Sequence, residues 1–141
     1  MDIKELRVGN FVTIDNPKHP FLLGVMVEIV GIQSDGWADG VRVSNDGDTF
    51  GQLLKFVNPI PITPEILAAF GFRGWFRDPK KQPQWVIESD DMIVTQKENG
   101  YFATVGKREI LVDSVHDIQN LYFALTGEEL EYKPSISQSN D

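Results

Sequence analysis

The most constraining feature of the sequence is the stretch Asp113–Leu130, DSVHDIQNLYFALTGEEL, which predicts an amphipathic helix. At about 100° per residue, its apolar side chains fall on one stripe roughly 120° wide, the width of a core-facing surface. Ser114 is the predicted N-cap, and Gly127 is expected to end the helix in the left-handed conformation. The stripe consists of Val115, Ile118, Leu121, Tyr122 and Leu125. We therefore expect this helix to be a main part of the core.

A second face of the same helix carries polar and aromatic residues. It consists of His116, Gln119, Asn120 and Phe123. This helix face has two interpretations. It packs on a neighbouring element while its amides bond stray backbone groups, or it is a recognition surface with one aromatic anchor among hydrogen-bonding side chains. On the second interpretation these four residues are candidate binding residues.

The composition excludes several kinds of site and limits the size of the fold. A chain of 141 residues is one ordinary domain, or two small subdomains that share a core. The absence of cysteine excludes a disulfide scaffold, a thiolate metal site and a cysteine nucleophile. No run approaches the roughly 18 apolar residues that predict a membrane span, and the N-terminus has no signal-peptide pattern. We therefore predict a cytoplasmic protein without membrane contact.

Residues 1–58 combine short apolar runs with glycine-rich and proline-rich turns. Because these runs are rich in β-branched residues, they favour strands. The predicted strands lie at 8–14, 21–32, 41–43 and 50–57. Short strands at this spacing are typical of a small, strongly bent antiparallel β-barrel. We predict a Tudor- or KOW-like barrel for residues 1–58.

A short helix is predicted to follow the proline-rich connector after residue 58. Thr63 is placed as its N-cap and Pro64 at its first position. Gly71 is placed where the helix ends, and Phe72 can then contact Leu67 in a Schellman arrangement. The short helix is therefore well specified at both ends.

The rest of the chain predicts an antiparallel β-meander that leads into the C-terminal helix. Asn99-Gly100 is a strong hairpin signal, so residues 101–105 should pair with residues 92–97. We expect residues 59–130 to share one core, and residues 131–141 to form a disordered tail because they lack periodicity. Together with the barrel, these elements predict an α+β fold.

Catalysis and metal binding have little support in the sequence. The two histidines, His19 and His116, lie in a proline loop and at a helix start, and no nucleophile elbow, Walker or H-E-x-x-H motif is present. A calcium loop counted from Asp35 has Trp37 at its third position and Asp46, not glutamate, at its twelfth. We therefore predict no catalytic residue, no metal site and no cofactor.

The segment 72–85, FRGWFRDPKKQPQW, combines basic and aromatic side chains in an acidic chain. The chain has a formal net charge of −8, whereas this segment has four basic residues and one acidic residue. Cations beside aromatic rings bind single-stranded nucleic acid and other anionic or planar ligands. The alternative is a surface loop whose aromatic rings pack inward beneath the basic side chains. The candidate binding residues are Arg73, Trp75, Arg77, Lys80, Lys81 and Trp85.

Three stretches of the sequence form one recognisable pattern. They are L-R-x-G-N at 6–10, I-P-I-T-x-E-x-L at 60–67 followed by F-G-F at 70–72, and V-H-x-x-Q-N-L-Y-F-A-L-T-G-E-E-L at 115–130. This pattern resembles a family of uncharacterised bacterial and prophage-type proteins. The resemblance spans nearly the whole chain that is predicted to be ordered. It implies no activity, cofactor or catalytic residue.

The sequence favours a small, non-enzymatic binding or adaptor protein, and the resemblance suggests that it is encoded on a mobile element. An unknown protein is the expected partner. There are two alternatives. One is a nucleic-acid-associated module that binds single-stranded nucleic acid through segment 72–85. The other is an acidic mimic of nucleic acid that occupies a nucleic-acid-binding protein.

Overall fold

The computed structural model describes residues 1–34, 39–75, 83–87 and 92–133. These residues form ten β-strands and two α-helices, which is an α+β fold with mostly β content. The strands form two antiparallel sheets of five strands each, and one of them is curled into a half-barrel. The predicted fold class is therefore confirmed.

The order of the strands follows the chain closely in both sheets. The elements are β1 (Phe11–Ile14), β2 (Val27–Ser34), β3 (Asp39–Asn45), β4 (Asp48–Leu53), β5 (Val57–Asn58), α1 (Pro64–Ala69), β6 (Arg73–Trp75), β7 (Gln84–Val86), β8 (Ile93–Lys97), β9 (Gly100–Val105), β10 (Arg108–Val112) and α2 (Val115–Thr126). The first sheet has the order β4-β3-β2-β1-β5, and the second has the order β10-β9-β8-β7-β6. Most neighbouring strands are therefore hairpin partners.

The chain divides into two compact units. The first unit consists of Met1–Ile60 and Ser114–Asn120, and the second consists of Pro61–Asp113 and the chain from Leu121 onward. Within the first unit, the Val115 N–H donates to the Ile60 carbonyl at 2.9 Å. The chain therefore leaves the first unit and returns to it at neighbouring points.

The core of the first unit is formed by side chains that alternate along the strands. Successive residues of a strand point to opposite faces, so every second residue is buried when one face is covered. The buried residues include Val12 and Ile14 on β1, Val27 and Ile29 on β2, and Val41 and Val43 on β3, none of them more than 3% exposed. Each contributes roughly 1.5–3 kcal/mol of burial free energy before chain entropy is subtracted.

The strand predicted at residues 21–32 begins only at Val27. Residues Pro20–Leu22 form a 3₁₀ turn, and Gly24 follows with a φ of +75°, in the left-handed region that favours glycine. Leu22 is fully buried in the core of the first unit. The apolar run is therefore divided between a turn and a strand, and both parts supply core residues.

Helix α1 has the caps that its sequence predicts. The Thr63 hydroxyl accepts a hydrogen bond from the Ile66 N–H at 3.2 Å. At the other end, Gly71 has a φ of +92°, and the Phe72 N–H donates to the Leu67 carbonyl at 3.0 Å, as in a Schellman motif. Leu67 and Phe72, whose main chains are joined by this bond, are buried, with exposures of 0% and 2%.

The second sheet contains the predicted hairpin between β8 and β9. Tyr101 is paired with Gln96 in this hairpin. Its turn residues are Glu98 and Asn99, so Gly100 is the first residue of β9 and not a central turn residue. The pairing of the two strands was therefore predicted, and the position of the turn differs by one residue.

Strand β6 was not predicted, and it lies inside the basic and aromatic segment 72–85. It pairs antiparallel with β7, with Arg73 opposite Val86 and Trp75 opposite Gln84. A three-residue strand containing an arginine and a glycine has little intrinsic preference for β-structure. The extended conformation of β6 is stabilised by its pairing with β7, and the local sequence does not reveal that pairing.

Candidate functional site

The first half of helix α2 buries much of its predicted polar face. Gln119 is 1% exposed and His116 is 3% exposed. Both belong to the same buried surface as Val115 and Ile118, because residues three and four apart lie on one side of a helix. Leu125 is 42% exposed, so the predicted core stripe is wrong at that position.

The Gln119 side chain bonds the main chain that leads into β1. Its Oε1 accepts a hydrogen bond from the Phe11 N–H at 2.8 Å, and its Nε2 donates to the Gly9 carbonyl at 2.9 Å. These two main-chain groups are two residues apart, as are the groups that a neighbouring strand would bond. The amide therefore bonds these main-chain groups in the way that a neighbouring strand would.

The Asn120 side chain joins the N-terminal residues to the helix. Its Oδ1 accepts from the Asn10 Nδ2 at 2.8 Å and from the Arg7 Nε at 3.1 Å, and its Nδ2 donates to the Glu5 carbonyl at 2.8 Å. Asn10 is fully buried, and its Oδ1 accepts from the Arg7 N–H at 2.7 Å. We call Gln119, Asn120 and Asn10 the amide clamp. It fastens residues 5–11 to helix α2.

Phe123 is the fourth member of the predicted helix face, and it is 39% exposed. Its exposure differs from that of Gln119 and His116, so the four residues do not share one accessible surface. A recognition role for the exposed ring stays a prediction. The amides already have partners in the main chain of the first unit.

His116 is buried beside a hydroxyl and a carboxylate. Its Nδ1 lies 3.1 Å from the Ser114 Oγ, and its Nε2 lies 3.7 Å from the Asp117 Oδ1. Burial lowers the pKa of His116, while the negative charges of Asp117 and Glu5 oppose that shift. Ser114 and His116 are each 3% exposed, so the hydroxyl is closed to a substrate.

The burial of His116 predicts that stability falls as the pH drops below about 6.5. Since its pKa is lower in the folded state, the unfolded chain binds a proton first. Stability is therefore complete above the unfolded pKa and decreases as the pH falls toward the folded pKa. Denaturant unfolding at several pH values between pH 8 and pH 5 measures this slope. A His116→Gln variant should have a smaller slope, and an unchanged slope would contradict the assignment.

The described part of segment 72–85 includes three of the six predicted binding residues, Arg73, Trp75 and Trp85. Arg73 is exposed on β6, and the main chain of Trp75 belongs to the same strand. Trp85 is only 6% exposed, and its ring stacks on Tyr101 with centroids 5.8 Å apart. The remaining candidates, Arg77, Lys80 and Lys81, lie outside the described residues. Trp85 is therefore not placed to stack on a nucleic-acid base.

A cavity of roughly 360 Å³ lies in the second unit and was not predicted. Its aromatic wall is formed by Phe70 and Tyr122, which are 4% and 8% exposed. The remaining wall is formed by Gly71, Ile87, Glu128, Glu129, Leu130, Glu131 and Lys133. We call it the acidic cavity, because three glutamates and one lysine line it. The one sequence feature that could have indicated this cavity is the acidic stretch G-E-E-L-E at the predicted end of the helix.

The residues after helix α2 are held beside helix α1. The Lys133 N–H donates to the Ala69 carbonyl at 2.6 Å, and the Tyr132 ring lies 5.2 Å from the Phe70 ring. These residues begin the predicted tail, whose last part, residues 134–141, lies outside the described residues. The contacts position Glu131 at the acidic cavity.

The electrostatics of the acidic cavity favour a cation. Glu131 pairs with Lys133 at 2.9 Å, but both side chains are more than 70% exposed. The ion pair therefore contributes little free energy, and another cation can readily replace Lys133. Glu128 has no ion pair with a described residue. The C-terminal end of helix α2 precedes these carboxylates and adds partial negative charge. A cation with an apolar stem therefore fits the chemistry of the cavity.

Two other kinds of feature are absent from the residues that the structure describes. No three histidine, cysteine, aspartate or glutamate side chains come together there as a metal-binding group. No helix in the described ranges is both long and apolar enough to cross a bilayer.

Comparison with known proteins found no matching family model, no matching curated protein and no matching solved structure.

Proposed function

We propose that the protein is a non-enzymatic adaptor that binds a basic segment of a partner protein at the acidic cavity. The observation that supports the proposal is a single cavity that combines two buried aromatic rings with three glutamates. An arginine or lysine side chain has the two matching parts, an apolar stem and a cationic head. A cation close to an aromatic ring gains further attraction from the ring.

The charge of the whole chain supports the same kind of partner. With a formal net charge of −8, the protein attracts basic segments over a distance and repels acidic ones. This long-range attraction raises the association rate but does not select a site. The acidic cavity supplies the local selection in the proposal.

The test uses two labelled peptides and the full chain. One peptide alternates arginine with leucine, and the other has glutamate in place of each arginine. We expect the arginine peptide alone to bind, with an affinity that decreases as salt is added. Replacing both Glu128 and Glu131 by glutamine should weaken binding roughly threefold to thirtyfold, because partly exposed charge pairs contribute little individually. Fluorescence anisotropy measures each affinity.

A matched control separates the cavity from the net charge. The pair Glu28→Gln and Glu98→Gln removes the same charge from two exposed positions that do not line the cavity. We expect this control pair to change the affinity much less than the cavity pair. Equal weakening by both pairs would contradict binding in the cavity. Absence of arginine-peptide binding at low salt would contradict the proposal as a whole.

A second candidate function is that of an acidic mimic of nucleic acid, which also requires a negatively charged surface. The three glutamates at the acidic cavity favour it over direct nucleic-acid binding, because they would repel phosphates. If the protein is such a mimic, the basic segment that it binds belongs to a partner protein that binds nucleic acid. Nucleic acid should then compete with this protein for the partner. Simultaneous binding of both to the partner would exclude mimicry while leaving the adaptor proposal in place.

A further inference from the structure

Strand β10 presents an exposed apolar edge. It lies at the end of the second sheet, with β9 as its neighbour among the described strands. Ile110 and Leu111 point to opposite faces of the sheet, yet they are 40% and 48% exposed. A strand edge with exposed apolar side chains is a template for pairing with another strand. β10 therefore has the properties of an interaction surface.

The main-chain groups of Glu109 and Leu111 point away from β9. The β9–β10 hairpin closes through a two-residue turn at 106–107, and the flanking pair is Val105 and Arg108. In such hairpins the flanking pair exchanges hydrogen bonds, and bonded and non-bonded pairs then alternate along the strands. Glu109 and Leu111 fall in the non-bonded positions. No described main-chain group outside the sheet bonds them.

The sequence around this edge is complementary to itself in one antiparallel register. If Ile110 lies opposite the same residue of a second copy, Glu109 lies opposite Leu111, and these outward-facing groups can exchange four hydrogen bonds. The same register places Lys107 opposite Asp113 at both ends. Both of these charged side chains are exposed. The register therefore combines main-chain bonds, an apolar centre and two pairs of opposite charges.

The other registers that pair the outward-facing groups bring like charges together. With Glu109 opposite itself, two carboxylates meet at the centre of the pair. With Leu111 opposite itself, Glu109 lies opposite Asp113 of the second copy, and this occurs twice. Like charges directly opposite each other destabilise a strand pair. The register centred on Ile110 is therefore the favourable one.

We propose that β10 is a self-association edge, at which two copies of the chain pair antiparallel about a two-fold axis at Ile110. The two five-stranded sheets then continue as one sheet of ten strands. A two-fold interface uses the same surface from both copies, which agrees with the self-complementary register. The strand is short and the interface is small, so the dimer is weak and transient. The acidic cavity takes no part in this pairing.

The test is disulfide trapping in the full chain, which has no cysteine of its own. In an Ile110→Cys variant the two introduced thiols face each other in a non-bonded pair, where the Cα separation suits a disulfide. We expect a covalent dimer to form at least about tenfold faster than in a Leu23→Cys variant, because association raises the local thiol concentration. Leu23 is 65% exposed on the other unit and serves as the accessibility control.

The register is tested by exchanging the charges at its two ends. In the Ile110→Cys background, Lys107→Glu or Asp113→Lys alone places like charges opposite each other at both ends, so each should slow dimer formation. An equal mixture of the two variants restores opposite charges at both ends of the mixed dimer. We therefore expect the mixed disulfide to form faster than either homodimer. Circular dichroism of each variant checks that the fold is retained.

Two results would overturn the proposal. One is equal trapping rates for the Ile110→Cys and Leu23→Cys variants. The other is faster trapping of a Leu111→Cys variant than of the Ile110→Cys variant, since that result would require a different register. Retained trapping in the two charge variants, with no gain on mixing, would also contradict the pairing of Lys107 with Asp113.

Discussion

A Gln119→Leu variant is expected to lose about 2–5 kcal/mol of unfolding free energy, because two partly buried main-chain groups lose their hydrogen bonds to the buried Gln119 amide. Leucine fills a similar volume but cannot accept from the Phe11 N–H or donate to the Gly9 carbonyl. Gln119 is only 1% exposed, so water does not readily replace either bond. Denaturant unfolding followed by circular dichroism measures the loss.

Two further variants identify the cause of this loss. Gln119→Glu keeps the shape and the acceptor for Phe11, but it places a carboxylate oxygen against the Gly9 carbonyl, so it should also destabilise the protein strongly. Gln84→Leu makes the same chemical change as Gln119→Leu at an exposed position of β7, where the amide donates to the Thr95 hydroxyl at 3.4 Å, and it should have a small effect. A harmless Gln119→Glu change would mean that the amide matters for its shape and not for its hydrogen bonds.

A Gly40→Ala variant is expected to lose about 1–3 kcal/mol, the usual range for forcing an atom into a packed site. A Cβ atom added at Gly40 would lie 2.8 Å from the Gln52 carbonyl oxygen. That oxygen belongs to the main chain of β4, so relief of the clash requires the strand to move. The free energy of unfolding, measured by denaturant titration, gives the size of the effect.

Gly51→Ala is the matched control, because Gly51 lies on the strand that is paired with β3. A Cβ atom there would meet the Arg42 Nη1 at 3.7 Å, an ordinary contact with a flexible side chain. We expect little change, or a small gain from the reduced freedom of the unfolded chain. Similar losses at Gly40 and Gly51 would show that the close approach to Gln52 is not the cause.

Local sequence predicted those parts of the fold that local chemistry determines. The caps of helix α1 and the β8–β9 pairing depend on residues a few positions apart, such as Thr63 with Ile66, and they were found. Strand β6 depends on its pairing with β7, and the late start of β2 depends on the left-handed conformation of Gly24. Neither feature was predicted. Helix periodicity alone also could not reveal that Gln119 is buried, since the partner groups lie more than 100 residues away in sequence.

The candidate site was less predictable than the fold. The acidic cavity requires Phe70 and Tyr122 to meet residues that follow helix α2, and this meeting depends on tertiary contacts such as that of Lys133 with Ala69. Aromatic residues near basic ones suggested a binding loop, but Trp85 instead packs on Tyr101. Composition therefore indicated which residue types could bind a ligand, and only the fold determined which of them are accessible.

The neighbouring positions of Ile60 and Val115 have an evolutionary consequence. The intervening residues 61–113 begin and end at adjacent points of the first unit, but they are not a simple inserted domain, because the second unit also includes the chain from Leu121 onward. A gene fragment that encodes only residues 1–60 would lack the Gln119 and Asn120 side chains. Since each unit is built from two separate stretches of the chain, recombination is expected to transfer the two units together more readily than either unit alone.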